Sequence, residues 1–118
     1  MQYMLLIQSD ENSRTALSED ERATMFAEYY EFSDSISDQT IASAPLEPST
    51  ATTTVRVREG EALITDGPFA ETKEQLGGFY LIEAESLDEA LEIAARCPGA
   101  RHGAVEVRPL MPIPARQP

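Results

Sequence analysis

Two stretches of this sequence share one plan, in which an apolar strand leads through a polar link into a capped helix. The first stretch runs from Tyr3 to Glu21 and the second from Phe79 to Glu89. Each contains a capping box, Ser18 to Glu21 and Ser86 to Glu89, where the serine accepts from the glutamate amide and the glutamate reaches back. Two such units, with hairpin strands between them and one strand after them, predict a β-α-β-β-α-β order with both helices on one face of an antiparallel sheet.

The apolar spacing within the two helices indicates which side chains they bury. The first helix has a stripe at steps of three and four residues, formed by Met25, Tyr29, Phe32 and Ile36 and widened by Phe26 and Tyr30. The second helix ends near Arg96, and it is expected to bury Leu87, Ala90, Leu91 and Ala94. One face of each helix should therefore pack on the sheet.

The segment between the two units predicts a hairpin. Ala51 to Arg58 is rich in threonine and valine and ends in alternating valine and arginine, which is typical of a half-buried strand. Glu59-Gly60 is the expected turn, and Ala62 to Thr65 is the expected return strand.

The length of the chain indicates one domain. With 118 residues and a mass of 13.0 kDa, it can build a single hydrophobic core. We assign the domain to residues 1–110 and a proline-rich tail to residues 111–118.

The charge balance excludes two classes of partner. Nine Lys and Arg residues against 21 Asp and Glu residues give a net charge of -12. Nucleic-acid binding depends on cations that displace counterions, and binding to an anionic membrane surface needs the same positive charge. We therefore expect neither a nucleic acid nor a membrane as partner.

Cysteine content and the start of the chain indicate the compartment. Cys97 is the only cysteine, so no intrachain disulfide and no cysteine metal cluster can form. The apolar run from Met4 to Ile7 is too short for the core of a signal peptide, and no basic residue precedes it. No other run approaches the length of a membrane span. We expect a cytoplasmic protein with no metal and no cofactor.

One continuous motif points to a family. Residues 65–80 read TDGPFAETKEQLGGFY, which closely resembles the signature of the YCII-related proteins, in particular their DGPF subgroup. Tyr3 to Ile7 and Val105 to Leu110 are also similar to that subgroup, so the resemblance covers nearly the whole chain. It implies an α+β, ferredoxin-like fold that dimerises into an α/β barrel with a cleft near the signature loop.

The resemblance implies less about activity. An enzyme role proposed for the family depends on a histidine–aspartate pair in some relatives, and Asp66 matches the aspartate. The histidine has no counterpart, because the only one here is His102, in the link before the last strand. Some DGPF-subgroup proteins are encoded beside, or fused to, alternative sigma factors. A non-enzymatic regulatory module is therefore the alternative to a small-molecule pocket at the dimer cleft.

The candidate site is built on the signature loop. Asp66 is the predicted catalytic carboxylate, because a carboxylate in a pocket can act as a general acid or base. The predicted ligand-binding side chains offer cations, an aromatic ring and a carboxylate: they are Arg56, Phe69, Glu71 and Lys73. Two simpler interpretations stay open. Asp66 can be a turn former, and the charged residues 71–74 can form a solvated loop.

The apolar strands also predict how copies associate. Tyr3 to Ile7 and Phe79 to Ile82 are apolar at nearly every position, so both faces of the sheet should be covered. The two helices can cover only one face. We therefore predict a homodimer joined through the bare face, with a possible place for a small-molecule ligand in its cleft.

Overall fold

The computed structural model describes residues 1–117 and contains two antiparallel sheets. Along the chain the elements are β1 (Gln2–Ser9), α1 (Glu11–Thr15), α2 (Glu19–Ser35), β2 (Thr40–Pro45), β3 (Thr53–Arg58), β4 (Glu61–Asp66), β5 (Gln75–Glu83), α3 (Leu87–Arg96), α4 (Gly99–His102) and β6 (Ala104–Pro109). Within residues 1–117, no helix is both long enough and apolar enough to cross a membrane.

The main sheet has the strand order β2-β5-β1-β6, and every neighbouring pair is antiparallel. This is the ferredoxin-like arrangement, so the predicted α+β fold is confirmed. The second strand of that arrangement is β2, however, and not a strand of the hairpin. The Thr40 amide and hydroxyl both donate to the Ile36 carbonyl, so the chain turns directly from α2 into β2 and places it at the sheet edge.

Alternate side chains of the central strands β1 and β5 form the core. Tyr3, Leu5 and Ile7 of β1 are buried together with Tyr80 and Ile82 of β5. The helices and the turn after α3 contribute the remaining large buried side chains, Phe32, Ile36, Ile93 and Cys97. Because side chains alternate along a strand, the intervening residues of β1 and β5 lie on the opposite face.

Helix α2 begins as predicted. Ser18 accepts from the Glu21 amide, and the Glu21 carboxylate accepts from the Ser18 amide. These bonds to Ser18 lower the pKa of Glu21. Phe32 packs edge-on against Tyr80, with ring centroids 5.2 Å apart. The predicted widening of the stripe is wrong, because Phe26 and Tyr30 are exposed.

Helix α3 buries a different stripe from the predicted one. Ala90 and Ala94 are buried as expected, but Leu87 and Leu91 are about half exposed, and Ile93 is buried. Leu91 follows Ala90 by one residue, which turns its side chain about 100° round the helix. The small side chains of Ala90 and Ala94 let α3 lie close to the sheet, and Leu87 and Leu91 lie at the side of the helix.

The β3–β4 hairpin, residues 53–66, stands apart as a two-stranded sheet, and we call it the hairpin arm. Glu59 and Gly60 form its two-residue turn, both with positive φ (52° and 79°), as a type I′ turn requires. The predicted half-buried strand is not found within one chain: Val55 is 60% exposed, and Ile64, directly opposite it, is 67% exposed.

The hairpin arm makes the molecule extended. The radius of gyration is 16.8 Å, against about 13–14 Å for a compact domain of this length. The principal extents are 49 × 42 × 18 Å, so the chain is flat as well as long. One face of the arm therefore lies open on a thin molecule.

Candidate functional site

The signature loop starts where the hairpin arm ends. Asp66 is the last residue of β4, and Gly67 follows it with a φ of 92°, in the region that glycine favours. The Gly67 amide donates to the Thr52 carbonyl over 2.7 Å, and the Thr54 hydroxyl donates to the Gly67 carbonyl over 2.7 Å. These two bonds fix the loop to the base of the arm.

Asp66 itself is exposed. In the described part of the chain, its carboxylate takes part in no hydrogen bond and no ion pair, and it lines neither of the two grooves described below. The turn at Gly67 is held by the backbone and by Thr54 instead. The Asp66 carboxylate is thus free to meet a group from outside the chain.

Of the predicted ligand-binding side chains, the structure brings Arg56 and Phe69 together. The Arg56 guanidinium carbon lies 5.9 Å from the centre of the Phe69 ring, within range of a cation–π contact. Phe69 is 77% exposed. Glu71 and Lys73 are exposed in the link before β5, and neither forms an ion pair with any residue in 1–117.

A groove of about 320 Å³ lies at the base of the hairpin arm. Its walls come from the segment between β2 and β3, including Leu46 and Pro48, and from Gln75 and Leu76 at the start of β5. Gln75 and Leu76 belong to the signature but are not among the predicted site residues. The prolines at the end of β2 and just after it could have indicated this groove, because they keep the segment before β3 irregular.

The buried titratable groups lie elsewhere, on the helix side of the sheet. Burial raises the pKa of the Cys97 thiol. Burial also raises the pKa of Tyr29, and the nearby Cys97 raises it further. Burial also raises the pKa of Tyr80, against a lowering hydrogen bond with Ser33 over 2.7 Å. His102 is exposed in α4. Within residues 1–117, no three side chains that could hold a metal ion lie together.

Cys97 should be chemically inert in the folded protein. It is fully buried, and its raised pKa leaves little thiolate at neutral pH. We expect its reaction with the thiol reagent DTNB to be on the order of a hundredfold slower in the native protein than in urea. Equal rates in the two conditions would contradict the burial of this thiol.

Three similarities to known proteins accompany this geometry. The family model of the YCII-related domain matches residues 1–114. An uncharacterized protein of Rhizobium meliloti (strain 1021) is 56% identical over 69 residues, which are 57% of this chain and 56% of that protein. The alignment therefore spans only about half of the relative's length.

The third similarity is structural. The 5-chloro-2-hydroxyhydroquinone dehydrochlorinase (TftG) of Burkholderia phenoliruptrix AC1100, in complex with 2,5-dihydroxybenzoquinone, gives a TM-score of 0.56 over 94% of both chains. The two sequences are 17% identical. This similarity concerns the fold alone.

Proposed function

The chain belongs to the YCII-related family, and on that basis we propose that it works as a homodimer that binds a small molecule beside the signature loop. The second copy completes a cleft that one chain leaves open. The observation that carries the proposal is the uncovered apolar face of the hairpin arm, next to a loop in which the side chains of Asp66, Glu71 and Lys73 form no ion pair within residues 1–117.

Two apolar surfaces support association with a second copy. On the bare sheet face, Met4 pairs with Leu81 and Leu6 pairs with Phe79, and all four side chains are partly exposed. On the hairpin arm, Val55, Val57 and Ile64 share one face and are 60–67% exposed. Apolar patches of this kind are characteristic of interfaces.

The signature loop would then supply the chemistry. Asp66 is the proposed acid or base, and Arg56 and Lys73 are the proposed cations for an anionic part of the ligand. Phe69 offers a ring face for stacking, and Glu71 a second carboxylate. The ligand of the structurally similar dehydrochlorinase makes small hydroxylated ring compounds the first class to test.

The Asp66 prediction can be tested by Asp66→Asn. Thermal shift assays with hydroxylated ring compounds, beginning with 2,5-dihydroxybenzoquinone, should raise the melting temperature of the wild type and not of the variant. Asparagine keeps the size of the side chain but removes its charge, so the variant itself should lose no more than about 1 kcal/mol of stability.

Asp38→Asn is the matched control, because Asp38 is an exposed aspartate outside the signature. It should respond to the same compounds as the wild type. A compound that stabilises wild type and Asp66→Asn equally would exclude Asp66 from the site.

The alternative function is a regulatory module that binds a protein partner in signalling through alternative sigma factors. The exposure of Phe69 and of the arm's valines favours it, since such a surface can dock another protein as well as a second copy. The oligomeric state separates the two proposals. A monomer at micromolar concentration would leave the arm free and favour the regulatory module.

A further inference from the structure

A second groove, of about 140 Å³, lies between α1 and α2 and borders Pro48. Arg14 comes from α1 and Arg22 from the first turns of α2, while Met25 and Phe26 supply apolar surface. None of the residues that line this groove belongs to the signature. It shares only Pro48 with the groove at the base of the hairpin arm, and it contains none of the side chains proposed for the cleft.

The two arginines of this groove have no carboxylate partner within the described residues. The chain carries 21 acidic residues against nine basic ones, so an exposed arginine has many acids to pair with. The one acidic residue that lines the groove, Glu11, already accepts from the Ser49 amide over 2.7 Å. Two guanidinium groups against one engaged carboxylate leave the groove with a net positive charge.

Arg14 lies against Gly77 of β5. A Cβ at residue 77 would lie 2.6 Å from Nη1 of Arg14, so the guanidinium would have to shift to admit a larger side chain there. Arg14 is itself partly buried, unlike Arg22, which is exposed. One arginine is thus held against β5, and the other can move to meet a ligand.

We propose that this groove binds a small aromatic carboxylate. The guanidinium groups of Arg14 and Arg22 would hold the carboxylate by charge-assisted hydrogen bonds, which suit the planar geometry of both partners. The ring would lie against Met25, Phe26 and Pro48. A cavity of about 150 Å³ accepts benzene in a protein interior, so the groove has room for one ring.

The test is a titration with benzoate, followed by two-dimensional proton–nitrogen NMR of the full chain. We expect shifts at millimolar benzoate in the amides around Arg14, Arg22 and Met25. Benzamide, which is neutral and has the same shape, should produce no such shifts. Arg22→Gln and Arg14→Gln should each weaken benzoate binding by about tenfold or more, since each removes a hydrogen bond between charged groups.

Arg58→Gln is the matched control, because it removes one positive charge from an exposed arginine on the hairpin arm. It should bind benzoate as the wild type does. The NMR spectra also report whether each variant is folded, and exposed Arg22 provides the safer substitution. Absence of shifts in the wild type, equal binding of benzamide, or unchanged affinity in Arg22→Gln would overturn the proposal.

Discussion

Replacing Ile93 by alanine is expected to lower the free energy of unfolding by about 2–5 kcal/mol. Ile93 is 2% exposed and belongs to the core cluster with the side chains of β1 and β5. Truncation removes buried methyl groups and leaves a cavity that the close approach of α3 to the sheet cannot fill. Urea denaturation followed by circular dichroism measures the change.

Leu91→Ala on the same helix is the matched control. Leu91 is 47% exposed, so its truncation should change the free energy of unfolding by less than about 1 kcal/mol. Similar losses in the two variants would mean that α3 presents another face to the sheet.

Replacing Ile64 by glutamate is expected to convert the proposed dimer into a monomer. Ile64 is opposite Val55 on the apolar face of the hairpin arm, and the substitution would place an unpaired charge within the interface. We expect the dimer dissociation constant to rise by about 30-fold or more. Sedimentation equilibrium over a range of concentrations measures it.

Thr65→Glu adds the same charge to the opposite face of the arm, since neighbouring residues of a strand point to opposite sides. It should leave the dimer intact. If both variants remain dimeric while folded, the arm is not part of the interface. If only Ile64→Glu dissociates, the valine face is the contact surface.

The parts of the fold that were predictable depend on local signals. The capping box of α2 involves only residues 18–21, and the hydrogen bonds between Ser18 and Glu21 form as predicted. The apolar runs of β1 and β5 similarly identify strands that lie at the centre of the sheet. Their order then follows from the two strand–helix units, because few topologies accommodate them.

The errors have two origins. In α3 the signal was local: Ile93 lies three residues after Ala90 and four before Cys97, so it shares their buried face, whereas Leu91 does not. The second capping box depends on a distant contact instead. The Ser86 hydroxyl accepts from the Glu89 backbone amide as predicted. The Glu89 carboxylate, however, accepts from the Glu85 backbone amide and the Gln39 side-chain amide, and not from the Ser86 backbone amide.

The candidate site was predictable only as a position. The motif located the loop, and alternation along β3 placed Arg56 on the face that meets Phe69. The groove at the base of the arm includes Leu46 and Thr52. Both residues lie outside the motif, and neither side chain carries a charge. Apolar walls of this kind have no sequence signature, because they arise when separate segments fold against one another.

The turn at Glu59 and Gly60 determines how the hairpin arm behaves before any association. The left-handed conformation of these two residues matches the twist of the strands. Strand β3 therefore pairs with β4 without any strand of the main sheet. A lone two-stranded hairpin is only marginally stable in water. Its amides should therefore open and exchange with solvent far more readily than those of β1 and β5. If a second copy covers the valines, the free energy of local unfolding of the arm will depend on protein concentration.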